Sequence, residues 1–294
     1  MMASPVPITE VARLRFIPDR LTPLPLTSSW SRLRPEEQLH YNQLHGLYFH
    51  EQIIFFEQEM IVPMLRSLQP SIADPSLRAA MSRFIAEENS HSTRFHELLQ
   101  SLKPEWYGGT WRHFIQTGPV SGGVFRFMLA RPRVFPLFLW LVQLLEERTM
   151  FASRLYLNEA NAFPPAVVAA QRQHLIDEAD HVQWDAALLD QFWANASPWL
   201  RRMNACLLTW MIGEFIAFPR RAALRVVDAL AEERSDLSVP AHQLKAELRG
   251  LARRSDFRRG VFGRDAVPRT WKQACQAPDL ETFVNTWLSH ERTL

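Results

Sequence analysis

The sequence predicts an all-α protein, a four-helix bundle extended by additional C-terminal helices, and three observations predict it. Glu-x-x-His occurs twice, as Glu88-Asn-Ser-His91 and Glu178-Ala-Asp-His181. Ahead of each lies an apolar stretch with helical periodicity and one inward-facing glutamate, Glu57 in the first and Glu147 in the second. The same 31 residues separate Glu57 from Glu88 and Glu147 from Glu178. At about 1.5 Å per residue, that distance suits a helix, a short turn and an antiparallel return that brings the paired residues level. The chain therefore reads as two helical hairpins, each delivering half of a site.

Residues 1–32 hold five prolines and little periodicity, which predicts an extended arm or irregular cover. The bundle occupies residues 33–195. Its first helix is expected from Pro35 to Ser67, bent near its end by Pro63. Ser71 or Asp74 with Pro75 opens the second, which runs through Leu102. A connector rich in glycine and aromatics, Tyr107 to Gly123, is long enough for a crossover or a lid. The third helix spans Val134 to Asn158 and is apolar on nearly all sides, so it is expected to be the most buried. Phe163-Pro-Pro marks a turn, and the fourth helix continues to Asn195. Residues 196–294 are expected to form helices over Trp199–Arg234, Pro240–Arg254 and Leu280–His290, packed on the bundle within one continuous domain.

Residues i and i+3 of a helix share a face one turn apart, so each Glu-x-x-His can present both groups to one ion. A ferritin-like bundle with a dinuclear metal site uses one Glu from each of two helices and a Glu-x-x-His from each of the other two. Glu57 has Ile53, Ile54 and Ile61 around it, and Glu147 has Leu144, Met150 and Phe151. A carboxylate on such a stripe costs several kcal/mol unless it is paired or bound to a metal. His174, one turn before Glu178, adds an imidazole to the same face. A third histidine is unusual for this class of bundle.

Each assignment has a rival. A single Glu-x-x-His is common on solvated helices; two, each with an upstream glutamate at equal spacing, point to a metal site. Glu51 and Glu59 compete with Glu57 for the first position. Glu87 and Glu146 are rotated about 100° from their neighbours, so they are expected in ion pairs, Glu87 with Arg83 or Arg94. Asp177 and Asp180 suit either hydrogen bonds to the imidazoles or surface salt bridges. Glu214 is expected to pair with Arg220 or Arg221. His40, His45, His50 and His96 are expected to be structural or surface histidines.

The 33 basic and 31 acidic side chains nearly balance, which argues against nucleic acid as a partner. With only Cys206 and Cys275, neither a disulfide framework nor a thiolate metal site is implied. Residues 1–19 lack the apolar core of a signal peptide. The apolar runs Val134–Leu145 and Cys206–Phe218 are too short or interrupted to span a bilayer. A cytoplasmic location without a membrane partner is the expectation. Mixed Glu and His groups suit iron or manganese better than a closed zinc site.

Glu57, Glu87-Glu88-x-x-His91, Glu147 and His174-x-x-x-Asp177-Glu178-x-x-His181, with Glu51 and Pro63 six positions either side of Glu57, resemble the AurF-type di-iron N-oxygenases, which oxidise aryl amines toward nitro compounds. The resemblance covers roughly residues 40 to 195. It implies two iron ions rather than manganese, O2 as co-substrate, and Glu57, Glu88, His91, Glu147, His174, Glu178 and His181 as catalytic metal ligands. It also implies an amine substrate, free or tethered to a carrier protein, an external electron donor, and a homodimer. Phe55, Phe56, Phe84, Phe95 and Phe151 are expected to wall the pocket. Where a polar pair would suit a carboxylated arene, this sequence has Phe49 and His50. Carbon hydroxylation or desaturation is the alternative oxygenase chemistry, and iron handling of the ferritin type a more distant one. A radical-generating subunit is disfavoured, because Phe95 stands where that class carries a tyrosine.

Overall fold

The computed structural model describes residues 12–251 and 253–289 and is almost entirely helical. The expected arm and last helix extend beyond these limits, so residues 1–11 and His290 lie outside the described residues. Proline sets most helix starts, because its missing N–H falls where no intrahelical partner exists. Helix α1 (Pro35–Phe56) opens this way, and Glu37 reaches back to accept from the Arg34 amide at 2.7 Å. It runs through a wide π turn, Glu57–Ile61, into α2 (Val62–Leu68). Pro63 accounts for that turn: its ring would collide with the Glu59 carbonyl in a regular α-helix, and it has no N–H to give.

Asp74 caps α3 (Pro75–Leu102) by accepting from the Ser76 amide at 2.9 Å. The connector contains α4 (Pro104–Tyr107) and α5 (Pro119–Leu129). Buried Glu51 of α1 pins it, accepting from the Tyr107 hydroxyl at 2.6 Å and from the amides of His113, Phe114 and Ile115 at 2.9–3.1 Å. Glu51, a rival for the first ligand position, is thereby assigned to holding this loop. Helix α6 (Leu137–Asn158) packs extensively on α7 (Pro165–Leu188), and α3 packs on both α1 and α7. These four helices form the bundle.

Beyond a second π turn, Leu189–Trp193, lie α8 (Pro198–Met211), a third π turn at Ile212–Ile216, and α9 (Arg220–Glu233). The single helix expected over Trp199–Arg234 is thus split, at the π turn and at Phe218-Pro219. Helix α9 packs on α1, and α10 (Ala241–Leu251) packs on α9. Helices α11 (Ser255–Val261), α12 (Pro268–Cys275) and α13 (Glu281–Trp287) close the end of the chain, with a two-residue parallel pairing of Phe262–Gly263 and Leu288–Ser289. Glu214 pairs with Arg220, one of its two expected partners.

The segment ahead of α1 covers the bundle. Asn42 accepts from the Phe16 amide at 2.9 Å and donates to the Ile17 carbonyl at 2.8 Å, while the Tyr156 hydroxyl donates to the Phe16 carbonyl at 3.0 Å. Gly46 is required there, because a Cβ would stand 2.4 Å from that of Phe16. Among the described residues, no helix is long and apolar enough to cross a membrane.

Candidate metal centre

Each bundle helix contributes buried groups to one interior volume. Helix α1 ends as its π turn begins at Glu57, so the wide turn itself carries the first carboxylate. Helix α3 presents Glu88 and His91 one turn apart, α6 presents Glu146, and α7 presents His174, Glu178 and His181 on successive turns. Their donor atoms fall into two groups, Glu57 with His91 and His174, and Glu88 with Glu146, Glu178 and His181; within each group they lie within 4.8 Å of one another.

Glu178 joins the groups. One of its oxygens lies 2.9 Å from His174 Nε2 and 3.5 Å from His91 Nδ1, and the other lies 2.9 Å from His181 Nδ1. Glu88 Oε1 also faces both sides, 3.1 Å from His181 Nδ1 and 3.7 Å from His91 Nδ1. Glu57 and Glu146 stand at opposite ends, and Ser92 donates to the outer oxygen of Glu57 at 2.8 Å. The arrangement suits two ions, one that Glu57, His91 and His174 would hold and one that Glu88, Glu146 and His181 would hold, with Glu178 within reach of both groups.

The imidazoles are aimed by acceptors behind them. His91 Nε2 lies 3.0 Å from Asp177 of α7, and His181 Nε2 lies 2.9 Å from Glu87 of α3. Each helix thus lends the residue just before its own glutamate to the histidine of the other. Such partners fix the ring with Nδ1 turned toward the carboxylates of the cluster. Asp177 therefore takes both of its expected roles, bonding an imidazole and pairing with Arg94. Glu87, expected to pair with Arg83 or Arg94, holds His181 instead; Arg83 lies over the Trp184 ring and Arg94 lies 3.7 Å from Asp177.

One expected ligand is corrected. Glu147 belongs to neither group and points away from the bundle interior, accepting from the backbone amides of Arg269 and Thr270 at 2.8 and 2.7 Å. It caps the start of α12, where unpaired N–H groups favour a carboxylate. Its neighbour Glu146 takes the interior position. Of the aromatic residues expected around the site, Phe84 stacks on His181 at 4.0 Å and Phe95 lies edge-on to His174 at 5.3 Å. Phe55 turns outward to stack on Phe125. His50 is structural, bonding the Gly46 carbonyl at 2.7 Å and Gln171 at 3.2 Å.

The electrostatics fit cations. One oxygen each of Glu57, Glu88, Glu146 and Glu178, with His91 Nδ1, is buried without a hydrogen-bond partner. Leaving so many polar atoms unpaired is costly unless an ion fills the space between them. Burial, helped by repulsion from Glu57 and Glu178, pushes Glu88 up to about 8 against the pull of His181. Burial and the charges of Glu178 and Glu88 raise Glu146 well above the carboxylate range. Burial lowers the basicity of His174 and His181, but nearby carboxylates, Glu178 foremost, outweigh it and raise them to about 10 and 12. Without metal, the cluster holds its charges together with shared protons.

The model of the p-aminobenzoate N-oxygenase AurF family matches residues 3–255. The chain belongs to that family. AurF is an oxygenase family with a di-iron centre, and the paired Glu and His groups of this chain are of the kind that holds one. No curated protein and no solved structure gives a significant match.

A cavity of about 110 Å³ lies between α1 and α6, the helices that carry Glu57 and Glu146. Phe49, Ile53 and Phe56 wall it from α1, and Leu145 and Thr149 from α6. Arg148 also lines it. This guanidinium is partly buried, donating to the Val261 carbonyl and resting 5.4 Å from the Phe262 ring, and no carboxylate pairs with it among the described residues. Burial lowers its pKa to about 10. Sequence reasoning missed Arg148, because nothing local distinguishes it from the other arginines of the chain.

Proposed function

We propose that this protein is a di-iron oxygenase that transfers oxygen from O2 to the amine nitrogen of a small aryl amine carrying an anionic group. The observation that carries the reading is the convergence of four bundle helices on two groups of buried donors joined by Glu178, in a chain of the AurF family. Glu57, Glu88, His91, Glu146, His174, Glu178 and His181 would hold the two irons. Bound there, the metal pair would reduce O2 and supply the oxidant.

The chain's own residues do the rest. Asp177 and Glu87 fix the rings of His91 and His181. Ser92 steadies Glu57. Phe84 and Phe95, both fully buried, keep bulk water from the histidines. His174 adds a second nitrogen donor to the group that includes Glu57 and His91. The cavity beside α1 and α6 suits a flat aromatic ring, and Arg148 within it suits a carboxylate. The polar contact absent from Phe49 on α1 is thereby supplied from α6.

The test is to load the protein with iron anaerobically, reduce it chemically, and admit O2 with p-aminobenzoate, analysing products by chromatography. About two irons per chain and a hydroxylamino, nitroso or nitro product would support the reading. A ring-hydroxylated product would transfer the assignment to carbon oxidation, and a protein that retains no iron would refute it.

A further inference from the structure

The connector between α3 and α6 exposes a surface that is both apolar and cationic. From Trp106 to Leu145 the chain carries no aspartate or glutamate, but it carries Arg112, Arg126, Arg131 and Arg133. Arg112 pairs with Glu59, and among the described residues no carboxylate pairs with the other three, all exposed. Between them, α5 and the loop after it turn Val120, Val124, Phe127 and Val134 outward, 79%, 55%, 53% and 46% exposed. Val120, Val124 and Phe127 recur at i, i+4 and i+7, forming one stripe of the helix. Arg131 lies 3.9 Å over the Phe127 ring, so apolar and cationic groups form one patch.

The patch backs onto two of the bundle helices. Phe125, on the opposite side of α5, stacks on Phe55 at 6.0 Å and meets Phe138 edge-on at 5.7 Å. Phe55 lies two residues before Glu57 on α1, and Phe138 lies on α6, which carries Glu146. Helix α5 therefore touches α1 just ahead of Glu57 and touches α6, the helix of Glu146.

We propose that this face of α5 docks an acidic electron-carrier protein, of the iron–sulfur or flavin class, that reduces the centre; the proposal rests on the oxygenase reading. Forming hydroxylamine from amine, RNH2 + O2 + 2 e− + 2 H+ → RNHOH + H2O, makes an N–O bond, breaks the O–O bond and releases the second oxygen as water. The two electrons are not stored on any side chain of the site, so a reduced carrier must deliver them. A patch of valine, phenylalanine and arginine has the composition of a protein interface, and its unpaired positive charge selects an acidic partner and speeds encounter. A second copy of this chain is a poor occupant, because a twofold contact would set unpaired arginines against each other. An anionic lipid surface would satisfy the charge but would not explain why the patch stands over the helices of Glu57 and Glu146.

The test uses a small acidic [2Fe–2S] ferredoxin with the iron-loaded protein, measuring binding by calorimetry at low salt and electron transfer by stopped flow. Two variants, the double change R131E/R133E and the single change F127S, are compared with the parent after their melting curves are checked. The expected result is that the double variant binds ferredoxin at least tenfold more weakly and oxidises it correspondingly more slowly. Its binding should also depend less on salt, while dithionite-driven reduction is unchanged. The F127S change should weaken binding without altering the salt dependence. Ferredoxin that fails to bind the parent, or binds and reduces all three proteins equally, overturns the proposal. So does a patch whose variants lose only binding to phosphatidylglycerol vesicles, or only self-association in sedimentation. If dithionite-reduced parent and O2 leave every aryl amine unchanged while ferredoxin still binds and reduces the centre through the patch, the oxygenase reading fails and the docking surface stands.

Discussion

Glu87 and His181 meet across the bundle at 2.9 Å, and their pairing mirrors that of Asp177 with His91 at 3.0 Å. Each of the two helices positions the other's imidazole, so the two Glu-x-x-His segments are mutually dependent. Changing Glu87 to Gln or Asp177 to Asn should lower metal affinity by roughly 10- to 100-fold at one ion while leaving the helical content intact. Anaerobic titration with Fe(II), followed by Mössbauer spectroscopy of partly loaded protein, reads the site that is lost. Unaltered affinity in both variants would show that these contacts do not aim the rings.

Adjacent residues Glu146 and Glu147 should separate function from stability. Glu146→Gln is expected to bind less than the about two irons of a complete di-iron set and to lose oxygen transfer. Glu147→Gln should retain iron but lower stability by about 1–3 kcal/mol, because the amides of Arg269 and Thr270 lose a charged acceptor. Iron assay and chemical denaturation of both variants decide it; the reverse pattern would restore Glu147 as a ligand.

Metal uptake should release protons. His174 and His181, raised to about 10 and 12, and Glu88, raised to about 8, hold protons at neutral pH in the metal-free protein. Raised values mean that lower pH favours the protonated, metal-free form. Affinity should therefore climb as pH rises through neutrality. Calorimetry in two buffers of different ionisation enthalpy counts the protons, and a count of zero would contradict the shared-proton description.

Arg148→Met should raise KM for p-aminobenzoate about 10- to 100-fold, the range set by losing one charged hydrogen bond of about 1.5–3 kcal/mol. Aniline, which lacks the carboxylate, should be affected little. Steady-state kinetics with both substrates provides the comparison, and equal losses would mean that Arg148 only supports the fold.

Glu51→Gln should loosen the connector. The native carboxylate accepts from three amides and one hydroxyl, and an amide group cannot accept at both ends. A loss of about 2–3 kcal/mol is expected, with faster hydrogen exchange confined to residues near His113–Ile115. Uniform exchange across the bundle would place the effect elsewhere.

The hairpins and the paired Glu-x-x-His segments were legible because helical periodicity and i, i+3 spacing are local properties. The choice between Glu146 and Glu147 was not. Helix α6 is buried continuously from Leu137 to Glu147, so apolar neighbours surround both carboxylates and define no face. What separates them is Thr270, 123 positions along the chain, whose amide claims Glu147. Glu87 was hidden for the same reason: Arg83 and Arg94 were the local partners in view, while His181 stands 94 positions away. Arg148 and the cavity it lines depend on Val261 and Phe262, which no local pattern connects to α6.

The wide turn at Glu57–Ile61 carries one consequence for how this chain can change. A π turn shifts the angular phase of a helix, so the residues ahead of it and those behind it no longer share a common face. Phe49, Ile53 and Phe56, which wall the cavity, lie ahead; Met64, Leu65 and Leu68, which fill the core, lie behind. The turn works as a swivel with the first carboxylate at its pivot. Substitutions upstream can reshape the cavity without disturbing the packing downstream, so the two halves of this helix are free to vary independently.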